Sequence, residues 1–402
     1  MNRKTAPLIA FLLTAVILAG CGKKSEDPEA IHYGLVTDSA GITNGAVSEL
    51  SAGMELAAQA KACRTQIYPA ASNSEDALRE AFDAAAGDNV KYVLCQGEVM
   101  EKPLGKAQAA HKKSKYILFD GIPVNSSGKT AEIRNNTMCV IFDKPSMGFL
   151  VGYAVVKEGL RTVGYMTGTV DDEDGIAYQT GFLNGIGYAQ QVMGLEAGSV
   201  KILREYAGTE NLSPLRKMDA DALYDAGAEM IVTDIEAFIP AIEIAASSHS
   251  RHAAAIGFDP GSGTVVLAAT ENHEGVAEWI LNKVEADSKA FMGGDILNAG
   301  VAENGVRLRV DYSALTTFTD TDMQHVLEAM AGGNAGVTAG GAESGDSNEN
   351  ASAGGLTSAG AAVSIQDLAP VTPDPNAGLG AGTPAAAQTA SEAEAAEEGT
   401  DA

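Results

Sequence analysis

The sequence predicts an α/β protein of two doubly wound parallel-sheet lobes with a disordered C-terminal tail. Two observations predict the lobes. Short apolar runs alternate with longer amphipathic stretches from residue 31 to about 330. The runs are also continuously apolar, as strands covered on both faces by helices must be. A third observation predicts the tail. From residue 332 onward the chain has no Lys, Arg, Phe, Tyr or Trp, carries Pro370, Pro373, Pro375 and Pro384, and ends among Glu392, Glu394, Glu397, Glu398 and Asp401. Such a segment buries too little apolar area to offset its chain entropy.

In order, the apolar runs predict strands at 31–36, 65–68, 92–94, 116–119, 138–142, 163–166, 200–206, 230–233, 255–258, 265–270 and 306–310. The stretches between them predict helices at 48–62, 74–86, 103–113, 148–158, 176–190, 213–226, 239–248 and 275–291. So many strands exceed one compact sheet. We therefore expect a first lobe of residues 31–145 plus about 260–291, and a second of 146–259 plus about 292–330. The chain would cross between them near 143–145 and 259–265. Residues 331–402 are the expected tail.

The N-terminus predicts export. Arg3 and Lys4 precede an apolar run over residues 6–19, and Leu18-Ala19-Gly20-Cys21 follows. A short basic region, a core too short to span a membrane and small residues before a cleavage point make a secretory signal over residues 1–20. Leu-Ala-Gly-Cys resembles the lipobox of bacterial lipoproteins, which implies a diacylglyceryl group on Cys21 and a polar tether over 21–30. The expected location is the outer face of the cell membrane. The 402-residue chain has a net charge of −26, which argues against nucleic acid as a partner because phosphate backbones require clustered Lys and Arg. Cys95 and Cys139 lie in strand runs and should pack as small apolar groups; Cys63 makes the remaining number odd.

Ligands of doubly wound sheets bind beyond the carboxyl ends of the strands. The residues there are Asp38, Ser39 and Asn44 after the first strand, Gln96-Gly97-Glu98 after the third and Asp120 after the fourth. In the second half they are Thr167-Gly168-Thr169, Asp234 to Phe238, and Asp259-Pro260-Gly261. The competing structural roles are equally concrete: Asp38 or Asn44 capping a helix, Phe238 packing in a core, Asp120 or Asp259 tying a turn. His249 and His252 have one-turn spacing but no third ligand nearby, and Asp171-Asp172-Glu173-Asp174 lacks the spacing of a calcium loop. No nucleophile elbow, phosphate loop or His-Glu-x-x-His occurs. We therefore expect no catalytic residue, no metal and no cofactor.

Eight stretches in order resemble the basic membrane protein family, lipoprotein substrate-binding components of ABC transporters for purine and other nucleosides. They begin at Tyr33, Val90, Tyr116, Gly148, Val163, Gly181, Ile256 and Gly293. The resemblance implies a fold like that of type I periplasmic binding proteins, a small polar ligand with a nucleoside favoured, and ABC permease subunits as partners. It implies ligand contacts from Asp38, Ser39, Asn44, Asp120, Phe238, Asp259 and Asn272. Two departures fall at ligand positions: Val47 stands where the family places a stacking aromatic, and Asn272 where it places a Lys. A receptor that feeds a signalling protein, or a nucleoside hydrolase, would use the same lobes.

Overall fold

The computed structural model describes residues 31–43, 45–125, 127–261, 263–333 and 363–368. Cys21, the signal, the tether, Asn44 and most of the expected tail lie outside these. The first sheet has the order β11-β5-β4-β3-β1-β2, formed by Ile296–Ala299, Thr137–Phe142, Lys115–Phe119, Tyr92–Gln96, Ile31–Thr37 and Arg64–Pro69. All of its pairs are parallel. The second has the order β12-β10-β9-β8-β6-β7-β13. Its strands are Val306–Val310, Val265–Glu271, His252–Ile256, Met230–Thr233, Thr162–Thr167, Lys201–Tyr206 and Ser364–Leu368. Only β12 runs antiparallel to its neighbour.

Two expected assignments are corrected by this topology. The stretch 260–291 does not stay in one lobe: β10 joins the second sheet, while helix α8 (His273–Ala286) packs on helix α1 (Gly45–Lys61) beside the first. Likewise 292–330 is divided, because β11 extends the first sheet before β12 returns to the second. At four residues, interrupted by Asn298 and only partly buried, β11 gave too short an apolar run to read as a strand. Its register, Ile296 opposite Cys139 through Ala299 opposite Phe142, comes from the open edge of β5.

Local chemistry starts the helices. Ser74 caps α2 (Glu75–Gly87) by accepting from Ala77 N at 3.3 Å, and Asp172 caps α5 (Glu173–Val192) by accepting from Gly175 N at 2.5 Å. Helix α4 (Lys144–Lys157) is buried on all sides from Ser146 to Val156, so it has no polar face to display. It meets α5 backbone to backbone. A Cβ on Gly152 would lie 2.1 Å from the Phe182 carbonyl oxygen, and one on Gly185 2.1 Å from that of Phe149. The glycines are required by that closeness.

Polar groups also sit inside the second lobe. Glu205 on β7 and Arg216 and Asp219 on α6 (Pro214–Asp225) are each buried. Arg216 lies 3.1 Å from Asp219, with its guanidinium 5.4 Å from the centre of the Phe238 ring. Both Glu205 carboxylate oxygens are buried without a hydrogen-bond donor. Burial first, then the charge of Asp219, push the Glu205 carboxyl up to about 7 against the pull of Arg216.

The tail is the third correction. Val363 and Leu368 pack on the two faces of the second sheet, and β13 pairs in parallel with β7 from Ser364–Lys201 to Leu368–Glu205. Arg204 holds Asp367 with Nε to Oδ1 at 2.7 Å and Nη2 to Oδ2 at 3.2 Å. The sequence hides this strand because its residues are mostly exposed and a ready-made edge supplies the hydrogen bonds. Removing residues 334–402 should therefore lower the melting temperature by a few degrees, corresponding to about 1–2 kcal/mol for one exposed edge strand and a surface ion pair. Calorimetry checks this; an unchanged melting temperature would mean that β13 contributes nothing.

Glu205 gives a pH signature. Its raised pKa means that the folded chain keeps a proton that the unfolded chain loses above about 4.5. Stability from this residue is therefore highest at low pH and is lost as the pH rises to about 7. Glu205→Gln should leave melting nearly unchanged at pH 4.5 and raise it at pH 8. A difference that is constant across that range would show Glu205 to be ionised throughout.

Candidate ligand site between the lobes

The chain passes between the sheets at 142–144, 271–273 and 299–306, and these crossings lie side by side. Asp143 N donates to Ala299 O at 3.0 Å, and Asn272 N donates to Gly305 O at 2.9 Å. Asp143 accepts from Ser146 Oγ at 2.5 Å, and burial raises its carboxyl despite that bond. Carboxyl ends of both sheets converge on the middle crossing. From the first lobe comes Asp120, just after β4. From the second comes Glu271, the last residue of β10, and from the start of α8 comes His273.

His273 is 5 % exposed. Its Nε2 lies 3.0 Å from Asp120 Oδ2 and 3.5 Å from Glu271 Oε2, while its Nδ1 faces Glu49 Oε2 at 4.0 Å. Phe142 lies against the imidazole at a centroid distance of 4.5 Å. Gln96 donates to the same Asp120 oxygen at 3.4 Å, and Arg307 holds the other Glu49 oxygen at 2.5 Å. Asp120 itself adopts a left-handed backbone, φ +50°, which Asp tolerates better than most residues. Burial, then the charge of Asp120, push the Glu271 carboxyl up to about 7, with His273 and Lys144 opposing.

Around this core stand Tyr178 and Asp234. The Tyr178 hydroxyl is pushed well up, by burial and then by Glu271, Asp174, Asp234 and Asp120. Those charges place it amid the converging strand ends. Gly257, φ +91°, lets it in: a Cβ there would lie 2.7 Å from the Tyr178 oxygen. Asp234 accepts from Tyr165 Oη at 3.1 Å. Burial raises its carboxyl to about 6, although the bonds from Thr167 and Tyr165 pull it down. Lys144 pairs with Asp174. The seam is thus rich in hydrogen-bonding groups, with several carboxylates for few cations. A surface hollow of about 550 Å³ lined by Ala86, Asn89 to Lys91 and Ala110 to Ser114 lies at the amino ends of β3 and β4, away from these groups.

The expected site residues divide. Asp120 stands in the seam. Asp38 sits at the end of β1 and accepts from Ala40 N at 2.9 Å, while Ser39 donates to Asn73 Oδ1 through Oγ at 2.7 Å. Asp259 follows β9 and is gripped by Arg309 Nε at 2.8 and 2.7 Å. Burial would raise its carboxyl, but Arg309 and the Gly261 amide hold it below its ordinary value. Phe238 is a correction: it is fully buried under Arg216 and offers no free face. Asn272 is another. Its Oδ1 caps α8 by accepting from Gly275 N at 3.1 Å, and its Nδ2 donates to Asn304 O. The side chain aimed into the seam is its neighbour, His273.

Sequence reasoning missed Glu271, His273, Tyr178 and Glu49. The run Glu271-Asn272-His273 after an apolar strand was a visible signal for two of them. Nothing local marks Tyr178 and Glu49, which lie within helices.

The model of one family matches residues 44–330; it is described as Bmp, ABC transporter substrate-binding protein PnrA-like. No curated protein matches the chain. Among solved structures, an ABC transporter solute-binding protein of Conexibacter woesei is similar with a TM-score of 0.54 at 16% identity, over 76% of this chain and 96% of its own. A transcriptional activator of the comK gene from Bacillus halodurans is similar with a TM-score of 0.51 at 13% identity, over 76% and 98%. At such identities the structures show a shared fold. The family match covers most of the chain, and with it the lobes, crossings and seam described above: the chain belongs to the Bmp family, the PnrA-like substrate-binding proteins of ABC transporters.

Proposed function

We propose that this protein is a lipid-anchored receptor on the outer face of the cell membrane that gathers a small polar solute, a nucleoside by preference, and passes it to an ABC permease. The observation that supports this reading is the convergence of carboxyl strand ends from both sheets on crossings that are themselves hydrogen-bonded together. Such crossings are natural hinges, because few residues must change dihedral angle for the lobes to rock. A solute between the lobes favours the closed arrangement by its extra contacts there, and the permease reads that arrangement.

In this reading Asp38, Ser39, Asp120 and Asp259, with Asn44 outside the described residues, receive the solute's hydroxyl and amide groups. Tyr178 supplies an aromatic surface in the seam. Specificity follows from burial, since a solute lacking the right partners leaves polar groups unpaired at about 1–3 kcal/mol each. Among the described residues no helix is long and apolar enough to cross a membrane, and acylated Cys21 would provide the anchor. Two acyl chains hold stably where one does not.

A thermal-shift screen of nucleosides, sugars and amino acids should identify one class that stabilises the protein. A solute at 100 times its dissociation constant adds about 2.7 kcal/mol. Asp120→Ala should then weaken that solute by about 1–3 kcal/mol, with circular dichroism checking that the variant, which also loses the pairing to His273, still folds. Glu196→Ala, in the exposed loop before β7, should leave binding unchanged. Equal binding by the Asp120 variant would remove this residue from the site; stabilisation only by sugars or amino acids would remove the nucleoside.

The anchor has its own test. Cys21→Ser should shift the protein from the membrane fraction to the soluble fraction or leave its signal uncleaved. Unaltered partitioning would sink the lipid assignment.

A further inference from the structure

His273 faces two carboxylates with one nitrogen. One ligand atom from each of Asp120, Glu271 and His273 lies within 4.8 Å of the other two, and Nε2 stands 3.0 Å from Asp120 Oδ2 and 3.5 Å from Glu271 Oε2. Ligand atoms about 2.1 Å from a tetrahedral ion are about 3.4 Å apart, so these separations bracket the spacing that such an ion imposes. The ring is buried and braced by Phe142. Coordination through Nε2 puts the imidazole hydrogen on Nδ1, and there Glu49 Oε2 faces it at 4.0 Å, itself tied to Arg307. A carboxylate behind a ligating imidazole is the usual support of such a ligand; at 4.0 Å Glu49 acts on the ring by its charge, beyond hydrogen-bond distance.

We propose that Asp120, Glu271 and His273 bind a divalent transition-metal ion of the zinc class at the seam between the lobes. An imidazole with two carboxylates suits zinc, whereas calcium takes six or more oxygens and magnesium prefers water and carboxylates. The ligands come from both sides: Asp120 from the end of a first-sheet strand, Glu271 from the end of a second-sheet strand, and His273 from the helix packed on the first lobe. An ion there clips the lobes together at the middle crossing. Three protein ligands leave a fourth position for water or for an oxygen or nitrogen of the solute. Lys144, the nearby cation, is engaged by Asp174. The inference rests on the same interlobe site as the proposed function, but not on the identity of the solute.

The test is calorimetric titration of the chelator-treated full chain with zinc, with magnesium and calcium as comparisons, and with cobalt for its absorption spectrum. Zinc should bind one to one, magnesium and calcium should not compete at equal concentration, and cobalt should give the intense visible bands of a four-coordinate site. His273→Ala and Asp120→Asn should each weaken zinc by 100-fold or more, and Glu49→Gln by about 10-fold or less, since its carboxylate stands at 4.0 Å. His111→Ala, near Asp83 at a different surface, should change nothing. Circular dichroism of each variant separates lost binding from lost folding, and His273→Gln repeats the test with a similar volume. Zinc bound equally by wild type and the folded His273 variants, or no stoichiometric zinc at all, would overturn the site. Running the solute screen with and without zinc keeps the readings apart: solute binding without zinc binding defeats only the metal, and zinc binding without any solute defeats only the receptor.

Discussion

The whole arrangement depends on hydrogen bonds between the crossing segments. Asp143 N to Ala299 O and Asn272 N to Gly305 O tie the outer and middle passages into a narrow strap. The two bonds carry the β5–β11 and β10–β12 ladders one residue into the crossings, where unpaired backbone groups in the interior would be costly. Pairing them with one another solves this and places the starts of α4 and α8 at the floor of the seam. Lys144, Glu271 and His273 are positioned directly from that strap.

Packing then fixes the lobes on either side. Helix α4 leaves the strap and is buried on every face, between the second sheet and α5. Glycines at 148, 152, 181 and 185 let two backbones touch, so α5 is held at a separation that side chains would forbid. The same helix carries Tyr178 into the seam and presents its N-terminus, capped by Asp172, beside Asp234. Close backbone packing in the second lobe thus becomes positional precision at the site.

The electrostatics of the seam follow from crowding. Glu271 and Asp234 are raised mainly by burial, Glu271 also by Asp120, because the converging strand ends bring more carboxylates than cations. Arg309 on Asp259, Arg307 on Glu49 and Lys144 on Asp174 each spend a cation on one acid. Asp120 and Glu271 are left to share His273. Such an excess of negative charge is tolerated where a solute group or an ion completes it.

Much of this was legible in the residues. The strand-helix alternation, the apolar strands and the acidic strand ends come from patterns within a few residues, and those patterns are governed by local burial and backbone preference. Asp38, Asp120 and Asp259 were found that way, because a polar residue directly after an apolar strand must emerge at a sheet edge. What the chain could not declare locally was which sheet β10 and β11 would join, that 364–368 would complete the edge of β7, and that Asn272 would turn aside to cap α8 while His273 turned inward. Phe238 was equally ambiguous: its burial is decided by Arg216 and the helices above it. The Asn272 cap aside, whose partner Gly275 is three residues on, these outcomes depend on partners farther along the chain, and only the folded arrangement decides which partner each group meets.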